Sequence, residues 1–232
     1  MRVGIIQSNY MPWRGYFDFI DDVDLFIFYD DVQYTHRDWG NRNRIKTDRG
    51  LMWLSVPVKH NLDTLILEAE IDYQNRWVDK QTRSLELAYR KAPFFTMYAE
   101  ELFGILATRF RTISALNIAL CKWVMAQLGI RTETRMSSEF NVSGNKYERP
   151  MEILRRASAT AYLSGPTARP YVDVNKYRDA GVQLEWKSYD YPEYPQLHGQ
   201  FEPGVTVLDL LFNCGTGARD YLKSTTPNEK AF

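Results

Sequence analysis

Apolar and polar positions at the start of the chain follow the pattern of two buried strands around one amphipathic helix. Residues 2–6 form an apolar run that ends in the polar segment 7–10. Apolar side chains at positions 16, 17, 19, 20 and 23 then fall on one helical face. A second apolar run, residues 25–29, ends at Asp30 and Asp31. This order predicts a βαβ unit, and therefore a parallel sheet with a right-handed crossover.

The middle of the chain changes character twice. Residues 32–50 show no regular periodicity and predict a long loop, whose aromatic residues favour a functional role over disorder. Strand character returns over residues 51–58 and 65–71. Apolar residues then recur at helical spacing from Val78 to Tyr89 and from Ile113 to Leu128, followed by Gly129 as a C-terminal cap. This spacing predicts a helical lobe over about residues 74–130.

Beyond residue 129 the chain alternates between strands and helices again. The pattern predicts strands over 132–136, 160–163 and 182–187, and helices over 148–157, 171–180 and 206–212. Residues 189–204 predict an aromatic loop, and residues 223–232 a frayed tail. We therefore expect a single α/β domain over residues 1–222, with a parallel sheet flanked by helices and a helical insertion in the middle.

Composition and charge exclude several classes of function. The 232 residues include 29 basic and 29 acidic side chains, and this zero net charge argues against bulk electrostatic binding to nucleic acid or an anionic membrane. The two cysteines, Cys121 and Cys214, form no CxxC motif and are too few for a zinc site, which predicts no structural metal. Neither a membrane-spanning run nor a signal peptide is present, so we expect a cytoplasmic protein.

Candidate chemistry begins in the turn after the first strand, residues 7–15. Parallel α/β proteins bind ligands beyond the carboxyl ends of their strands, and the start of the following helix suits an anion. The turn holds more large polar and aromatic side chains than a connection needs, although a plain polar loop is the alternative. The candidate ligand contacts are Gln7, Asn9, Tyr10, Trp13 and Tyr16.

Charge is segregated between the next two segments. Residues 17–31 contain six aspartates and no basic residue, whereas residues 35–60 carry a net charge of +4. This pattern predicts a site for a phosphorylated or nucleotide-linked substrate held by arginine forks, with an internal salt-bridge network as the alternative. Asp30 and Asp31 are candidates to hold Mg²⁺ with the phosphates. The other candidates here are Gln33, Asn41, Arg42, Asn43, Arg44, Lys59 and His60.

A third candidate element follows the strand predicted at 160–163. Ser164, Gly165, Thr167 and Arg169 combine hydroxyls, a glycine and an arginine, which are the parts of a phosphate cradle. An ordinary turn is the alternative, because turns are rich in the same residues. We expect His198 to be a solvated loop histidine.

Several blocks of the sequence resemble the WbqC-like family. They are IIQSNYMPWRGYFDFI and LFIFYDDVQYTHRDWGNRNRI near the N-terminus, WLSVPVK at 53–59, YLSGP at 162–166, and FEP with LDLLFNCG between 201 and 215. The resemblance covers residues 5–215. It implies a bacterial protein of the kind encoded with surface-polysaccharide or O-antigen biosynthesis genes, without implying one reaction.

The first strand, turn and helix also resemble, more distantly, HUP-type nucleotidyltransferases and pantothenate synthetase-like ligases. This resemblance implies a Rossmann-like (HUP-like) sheet with an HxGH motif that binds ATP phosphates at the turn. Trp13 and Tyr16 replace both histidines and only Gly15 persists, while Ser164, Thr167 and Arg169 echo the second phosphate motif. The resemblance therefore implies a nucleotide or phosphate pocket with different chemistry.

Two functions follow from these observations. The first is a transferase or amide-forming ligase acting on a nucleotide-linked amino sugar or a similar phosphorylated precursor. In it, phosphates are held by Arg42, Arg44 and Arg169, the substrate is bound by Asn9, Asn41 and Asn43, and proton transfer is assisted by Lys59 or His60. The second is a non-catalytic protein that binds a sugar nucleotide or a pathway partner. A nucleic-acid module fits least. The sequence leaves the cofactor open, with a nucleotide and Mg²⁺ as a candidate.

Overall fold

The computed structural model describes residues 1–144 and 148–232. The strands are β1 (Arg2–Ile6), β2 (Leu25–Phe28), β3 (Arg42–Thr47), β4 (Gly50–Ser55), β5 (Val58–Lys59), β6 (Glu70–Ile71), β7 (Glu133–Met136), β8 (Ala161–Ser164), β9 (Gln183–Trp186) and β10 (Glu229–Lys230). The α-helices are α1 (Arg14–Asp21), α2 (Trp77–Tyr89), α3 (Phe95–Ala107), α4 (Ile113–Gln127), α5 (Arg149–Arg156), α6 (Val174–Asp179) and α7 (Val207–Cys214). Short 3₁₀ helices cover Ser137–Phe140, Pro166–Tyr171 and Gly215–Tyr221.

Six strands form one sheet in the order β10-β9-β8-β1-β2-β7. The five strands from β9 to β7 pair in parallel, which confirms the predicted α/β class and its βαβ start. β1 and β2 are in register from Val3 with Leu25 to Ile6 with Phe28, so their carboxyl ends finish side by side. Residues 223–232, predicted to be a frayed tail, contain β10, which pairs antiparallel with β9. The prediction was wrong for this strand.

Helices cover both faces of the sheet because its central strands are buried on both sides. Every position of β2 is buried, as in a parallel strand between two helical layers. Phe26 and Phe28 pack into the cluster that includes α1 to α4 and α7, and Leu25 and Ile27 into the cluster that includes α5 and α6. This alternation follows from the period of two along a strand.

The middle of the chain is helical, as its periodicity predicts. α2, α3 and α4 all fall within residues 77–127. Thr112 caps α4 by accepting a hydrogen bond from the Ala115 N–H at 3.3 Å, and Gly129 follows the helix with a φ of 66°, as expected of a C-terminal cap. Within residues 1–144 and 148–232, no helix has the length and apolar character needed to cross a bilayer.

Some segments differ from the expectation. Residues 42–47, for which the sequence predicts a loop, form β3 and pair antiparallel with β4 in a hairpin. The polar sequence of β3 does not indicate a strand. Asn43 has an arginine on each side, and Ile45 is the one apolar buried position of this strand. The predicted strand over 65–71 contains only the two residues of β6, and the predicted helix over 171–180 is divided between a 3₁₀ turn and α6.

Candidate functional site

The turn after β1 separates two cavities. Ser8 is buried, and its N–H donates to Asp30 Oδ1 at 2.7 Å, which ties the turn to the end of β2. Gln7 precedes this buried serine and Asn9 follows it. Gln7 lines one of these cavities and Asn9 lines the other.

The strand-end cavity lies beyond the carboxyl ends of β1 and β2 and has a volume of about 630 Å³. Its charged groups neutralise each other: Arg149, from the first turn of α5, pairs with Asp31, and Asp31 also accepts a hydrogen bond from Ser137. The described residues of this cavity therefore carry no net charge. The described residues that line it are Gln7, Tyr29, Asp31, Val32, Gln33, Thr35, Leu65, Gly144 and Arg149.

Asp30 is fully buried beneath this cavity. One carboxylate oxygen accepts the Ser8 N–H and the other accepts the Ser114 hydroxyl. Burial raises the pKa of the Asp30 carboxyl, against the lowering effect of these hydrogen bonds. Since both oxygens of Asp30 are engaged, and those of Asp31 contact Ser137 and Arg149, these two carboxylates do not fit a Mg²⁺ site.

The second cavity, the tryptophan cleft, has a volume of about 370 Å³. Its lining residues are Asn9, Pro12, Trp13, Trp39, Asn43, Arg44, Pro203 and Gly204, and we include Arg42 and Trp53 from the adjoining face of the hairpin. The strand register places Arg44 opposite Trp53, and Arg42 lies on the same face two residues earlier. The hairpin thus brings two guanidinium groups to one side of the cleft.

The arginines of the tryptophan cleft stack on its indoles. Arg42 Cζ lies 4.3 Å from the centre of the Trp53 ring, and Arg44 Cζ lies 5.7 Å from the same ring and 5.9 Å from that of Trp39. The two indole rings are 5.6 Å apart, and Trp39 and Trp53 are 44% and 45% exposed. Large flat apolar surfaces and positive charge therefore meet at one place on the surface.

Three polar side chains of the cleft, those of Arg42, Arg44 and Asn9, have no polar partner among the described residues. Within the described residues, neither Arg42 nor Arg44 takes part in an ion pair or donates a side-chain hydrogen bond, and the side-chain amide of Asn9 has no hydrogen-bond partner either. Arg44 Nε is buried without a partner. Buried donors without partners are uncommon in folded proteins, and Arg44 Nε is one of several among the described residues.

Asn41 and Asn43, by contrast, donate hydrogen bonds from their side-chain amides to backbone carbonyl groups. Asn43 Nδ2 donates to the carbonyl oxygen of Met11 at 2.8 Å, and Asn41 Nδ2 donates to that of Val56 at 2.8 Å. Met11 has a φ of 43°, a left-handed conformation that such a tie helps to maintain. The Asn43 bond fixes the turn after β1 against β3, and the Asn41 bond joins the two ends of the hairpin.

Comparison with known proteins assigns the chain to a family. Residues 7–221 match the WbqC-like protein family. The chain belongs to that family. It is also 46% identical over 226 residues to the uncharacterized protein Rv1507c of Mycobacterium tuberculosis, an alignment that covers 96% of this chain and 97% of that protein. No solved structure matches the chain.

The aromatic candidates of this WbqC-like protein lie in different environments. Tyr10 is fully buried and its hydroxyl donates to Gln81 Oε1 at 2.6 Å. The buried Tyr16 donates its hydroxyl to the Gln7 carbonyl oxygen at 3.0 Å, which braces the turn after β1. Trp13 lines the tryptophan cleft and packs against two tyrosine rings of the loop after β9. Two of the three aromatics therefore support the turn from within.

The predicted proton-transfer residues lie in neither of these cavities. Lys59 and His60 line a small separate cavity of about 350 Å³ with Glu68 and Glu70. His60 Nε2 is 3.2 Å from Nδ1 of His36, so the two imidazoles share a hydrogen bond. The structure does not bring these groups to the cleft that holds the arginines.

The predicted phosphate cradle of the WbqC-like protein is also dispersed. Ser164 is buried at the end of β8 and lines another cavity, of about 760 Å³, while Gly165 directly precedes a 3₁₀ helix and Thr167 is exposed. Arg169 pairs with Glu229 of β10 at 2.5 Å. The arginine is therefore engaged with the edge of the sheet.

The aspartates before β2 pair with basic residues from the end of the chain. Lys187 Nζ lies 2.5 Å from Asp18 and 2.8 Å from Asp22, and Lys223 and Arg219 complete the cluster. The alternative of a salt-bridge network between this acidic run and the basic segment 35–60 is not found: within the described chain, none of the lysines or arginines of that segment forms an ion pair. Of these residues, Lys46 is buried and donates to Gln196 and to the Gly199 carbonyl oxygen.

Some residues of the cleft escape a sequence-based search. Trp53 follows the Asp-Arg-Gly turn at 48–50, and recognising that turn as a hairpin would pair it with Arg44. Trp39 lies in the predicted loop but without a spacing that marks it. Pro203 and Gly204 come from a loop more than 150 residues away, and no local signal connects them to β3.

Proposed function

We propose that this WbqC-like protein binds a nucleotide-linked sugar, including an amino sugar, or a similar phosphorylated precursor in the tryptophan cleft. The observation that carries the proposal is that the guanidiniums of Arg42 and Arg44 form no ion pair within the described residues and stack on the half-exposed indoles of Trp39 and Trp53. Guanidinium groups bind phosphate oxygens through charge-assisted hydrogen bonds. Flat indole faces suit a nucleobase or the apolar face of a sugar ring.

The reaction we propose is group transfer or amide formation on that precursor, during synthesis of a bacterial surface polysaccharide such as O-antigen, in the cytoplasm. Membership of the WbqC-like family supports the context. The cleft begins at the carboxyl end of β1, where ligands of parallel sheets bind. A nucleotide remains the candidate cofactor, but the strand-end aspartates supply no open ligand set for Mg²⁺.

We also propose that the sheet is Rossmann-like, of the HUP type. Read from β7 to β9, its parallel strands have the chain order 3-2-1-4-5, which is that of dinucleotide-binding sheets. That order reverses between β1 and β8, so Gln7 and Ser164 flank the switch point. The division into one domain over residues 1–222, with a helical lobe at about 74–130, stays a prediction.

A non-catalytic binding protein is the second candidate, and one observation favours it. The described residues that line the tryptophan cleft include no aspartate, glutamate, histidine, lysine or cysteine that could transfer a proton at neutral pH. Lys59 and His60, the candidates for that role, line another cavity. Both candidate functions predict the same ligand affinity and differ in turnover.

Titration of the purified protein tests the proposal. Nucleotide-linked sugars and the free nucleotides are added with and without Mg²⁺, while tryptophan fluorescence reports on the cleft and calorimetry measures affinity. Arg42→Ala and Arg44→Ala should each weaken binding roughly 10- to 150-fold, because a hydrogen bond to a charged group contributes about 1.5–3 kcal/mol. Arg83→Ala, at an exposed arginine of α2, is the matched control and should bind as the wild type does.

The outcomes separate the two candidates from failure. Saturable binding that depends on both cleft arginines, together with product formation when ATP and an acyl or amino-acid donor are added, supports an enzyme. The same binding without product supports the non-catalytic protein. Absence of binding by every nucleotide-linked sugar, or equal affinity of the arginine variants and the Arg83 control, would sink the proposal.

A further inference from the structure

Pro203 and Gly204, from a turn over residues 202–204 in the loop after β9, form one wall of the tryptophan cleft. The turn is fixed against the hairpin, because the Thr206 N–H donates to the Arg44 carbonyl oxygen at 3.0 Å. A further bond, from the Val207 N–H to the Pro12 carbonyl oxygen at 2.9 Å, joins the same segment to the turn after β1. A small shift in the backbone of this turn would therefore also move β3.

The Arg44 guanidinium occupies the place where residue 204 would carry a side chain. A β-carbon on Gly204 would lie 2.6 Å from Arg44 Nη2, well inside van der Waals contact. Gly204 is not among the glycines with positive φ, so its backbone is open to any residue and only the space is restricted. Since Nη2 is the far end of a flexible side chain, a β-carbon here would displace the guanidinium and leave the fold intact.

The Glu202 carboxylate also lies beside Gly204, next to the Arg44 guanidinium. Its Oε1 accepts the Gly204 N–H at 2.8 Å and would lie 3.0 Å from a β-carbon at that position. The carboxylate is thus held beside Arg44, yet the two groups form no ion pair within the described part of the chain. An ion pair would neutralise the charge that an anionic ligand needs.

We propose that Gly204 is the specificity-determining position of the tryptophan cleft. Its missing side chain keeps Arg44 on the indoles, and its N–H holds the nearby Glu202 carboxylate out of an ion pair with the guanidinium. It acts through Arg44 as a positioning residue, and it selects phosphate-bearing anions over uncharged sugars. The inference rests on the proposed function and names the charge class of ligand that the same cleft prefers.

A double-mutant cycle in the full chain tests this position. Gly204→Ala should weaken binding of a nucleotide-linked sugar by most of the loss seen in Arg44→Ala, and should have no further effect in the Arg44→Ala background. Gly217→Ala is the matched control, because a β-carbon there meets nothing within 4 Å, and it should bind as the wild type does. Independent, additive losses from Gly204→Ala and Arg44→Ala would overturn the proposal.

A second variant keeps the proposal testable if Gly204→Ala folds poorly. Glu202→Gln preserves an oxygen to accept the Gly204 N–H and removes a negative charge beside Arg44. It should tighten the binding of nucleotide-linked sugars and lower the ratio of Kd for the charged ligand to Kd for the corresponding uncharged sugar. Weaker binding of the charged ligand by Glu202→Gln would contradict the assigned role of the turn.

Iodide quenching of tryptophan fluorescence separates this inference from the proposed function. The charge of Arg44 concentrates iodide at Trp39 and Trp53, so Gly204→Ala and Arg44→Ala should reduce iodide quenching alike and leave acrylamide quenching near that of the wild type. If no nucleotide-linked sugar binds while this quenching result holds, the proposed function fails and the positioning role stands. If the ligand binds but Gly204→Ala changes neither affinity nor quenching, the role of Gly204 is wrong and the proposed function stands.

Discussion

Replacement of Asp30 decides whether this aspartate anchors the strand-end turn or binds metal. In the structure its oxygens accept the Ser8 N–H at 2.7 Å and the Ser114 hydroxyl, all in a buried setting. Asp30→Ala leaves both donors without a partner. Each unpaired buried donor costs about 1–3 kcal/mol, and the serine hydroxyl can turn to another acceptor, so we expect a loss of roughly 2–4 kcal/mol in the free energy of unfolding.

Urea unfolding at neutral pH, followed by circular dichroism, measures this loss. Asp63→Ala is the matched control, because Asp63 is an exposed aspartate outside any ion pair of the described chain, and it should change stability by less than about 0.5 kcal/mol. The experiment is repeated with Mg²⁺. Equal stability of Asp30→Ala and Asp63→Ala would refute the anchoring argument, and so would a stabilisation by Mg²⁺ that the wild type shows and Asp30→Ala lacks.

The pH dependence gives a second test of the same reasoning. Burial raises the pKa of Asp30 above its ordinary value of 3.8, so the folded protein holds this proton more tightly than the unfolded chain does. Its contribution to stability is complete below the unfolded pKa and is lost as the pH rises through the folded pKa. Asp30→Asn has no proton to release, so its destabilisation relative to the wild type should be largest in acid and shrink toward neutral pH.

Three further predictions follow from other parts of the structure. Gly104→Ala, at an exposed position of α3 where a β-carbon meets nothing within 4 Å, should raise the free energy of unfolding by about 0.5–1 kcal/mol in urea. Arg169→Ala should leave the affinity for nucleotide-linked sugars unchanged in calorimetry, because this exposed arginine pairs with Glu229. A loss of affinity as large as that of Arg44→Ala would instead identify Arg169 as a phosphate ligand. Burial alone would raise the pKa of Asp22, but hydrogen bonds from Lys187, Lys223 and Asn228 lower it to about 2. Asp22 therefore contributes stability above pH 4 that is lost as the pH falls toward 2, and Asp22→Asn should flatten the melting temperature over that range.

Elements whose residues are buried could be predicted from the sequence, because burial imposes a pattern. The run at 25–29 and the spacing from Ile113 to Leu128 correspond to β2 and α4, within one or two residues at each end. The sequence pattern did not predict β3, because the residues of this strand line the cleft as well as the core and do not follow the pattern of burial. Of its six residues, three are arginine or asparagine at positions 42–44, and their chemistry masks the period of two.

The site could be predicted in part and for a related reason. Asn9, Trp13, Asn43 and Arg44 were all candidates from sequence, and the structure brings them to one cleft. Which polar side chains remain unpaired could not be predicted, since that depends on partners distant along the chain. Asn43, for example, uses its amide on the backbone of the turn after β1, whereas Asn9 leaves its own without a partner among the described residues.

The open face of the hairpin is difficult to explain by folding stability. Burying an indole is worth roughly 25 cal/mol for each Å² of apolar surface removed from water, yet Trp39 and Trp53 remain nearly half exposed. Stacking of an exposed arginine on an aromatic ring returns only about 0.5–1 kcal/mol, and the two like charges of Arg42 and Arg44 oppose each other on one strand face. A bound anion with a flat ring would cover the indoles and compensate both charges at once, which is why we assign ligand binding to this cleft.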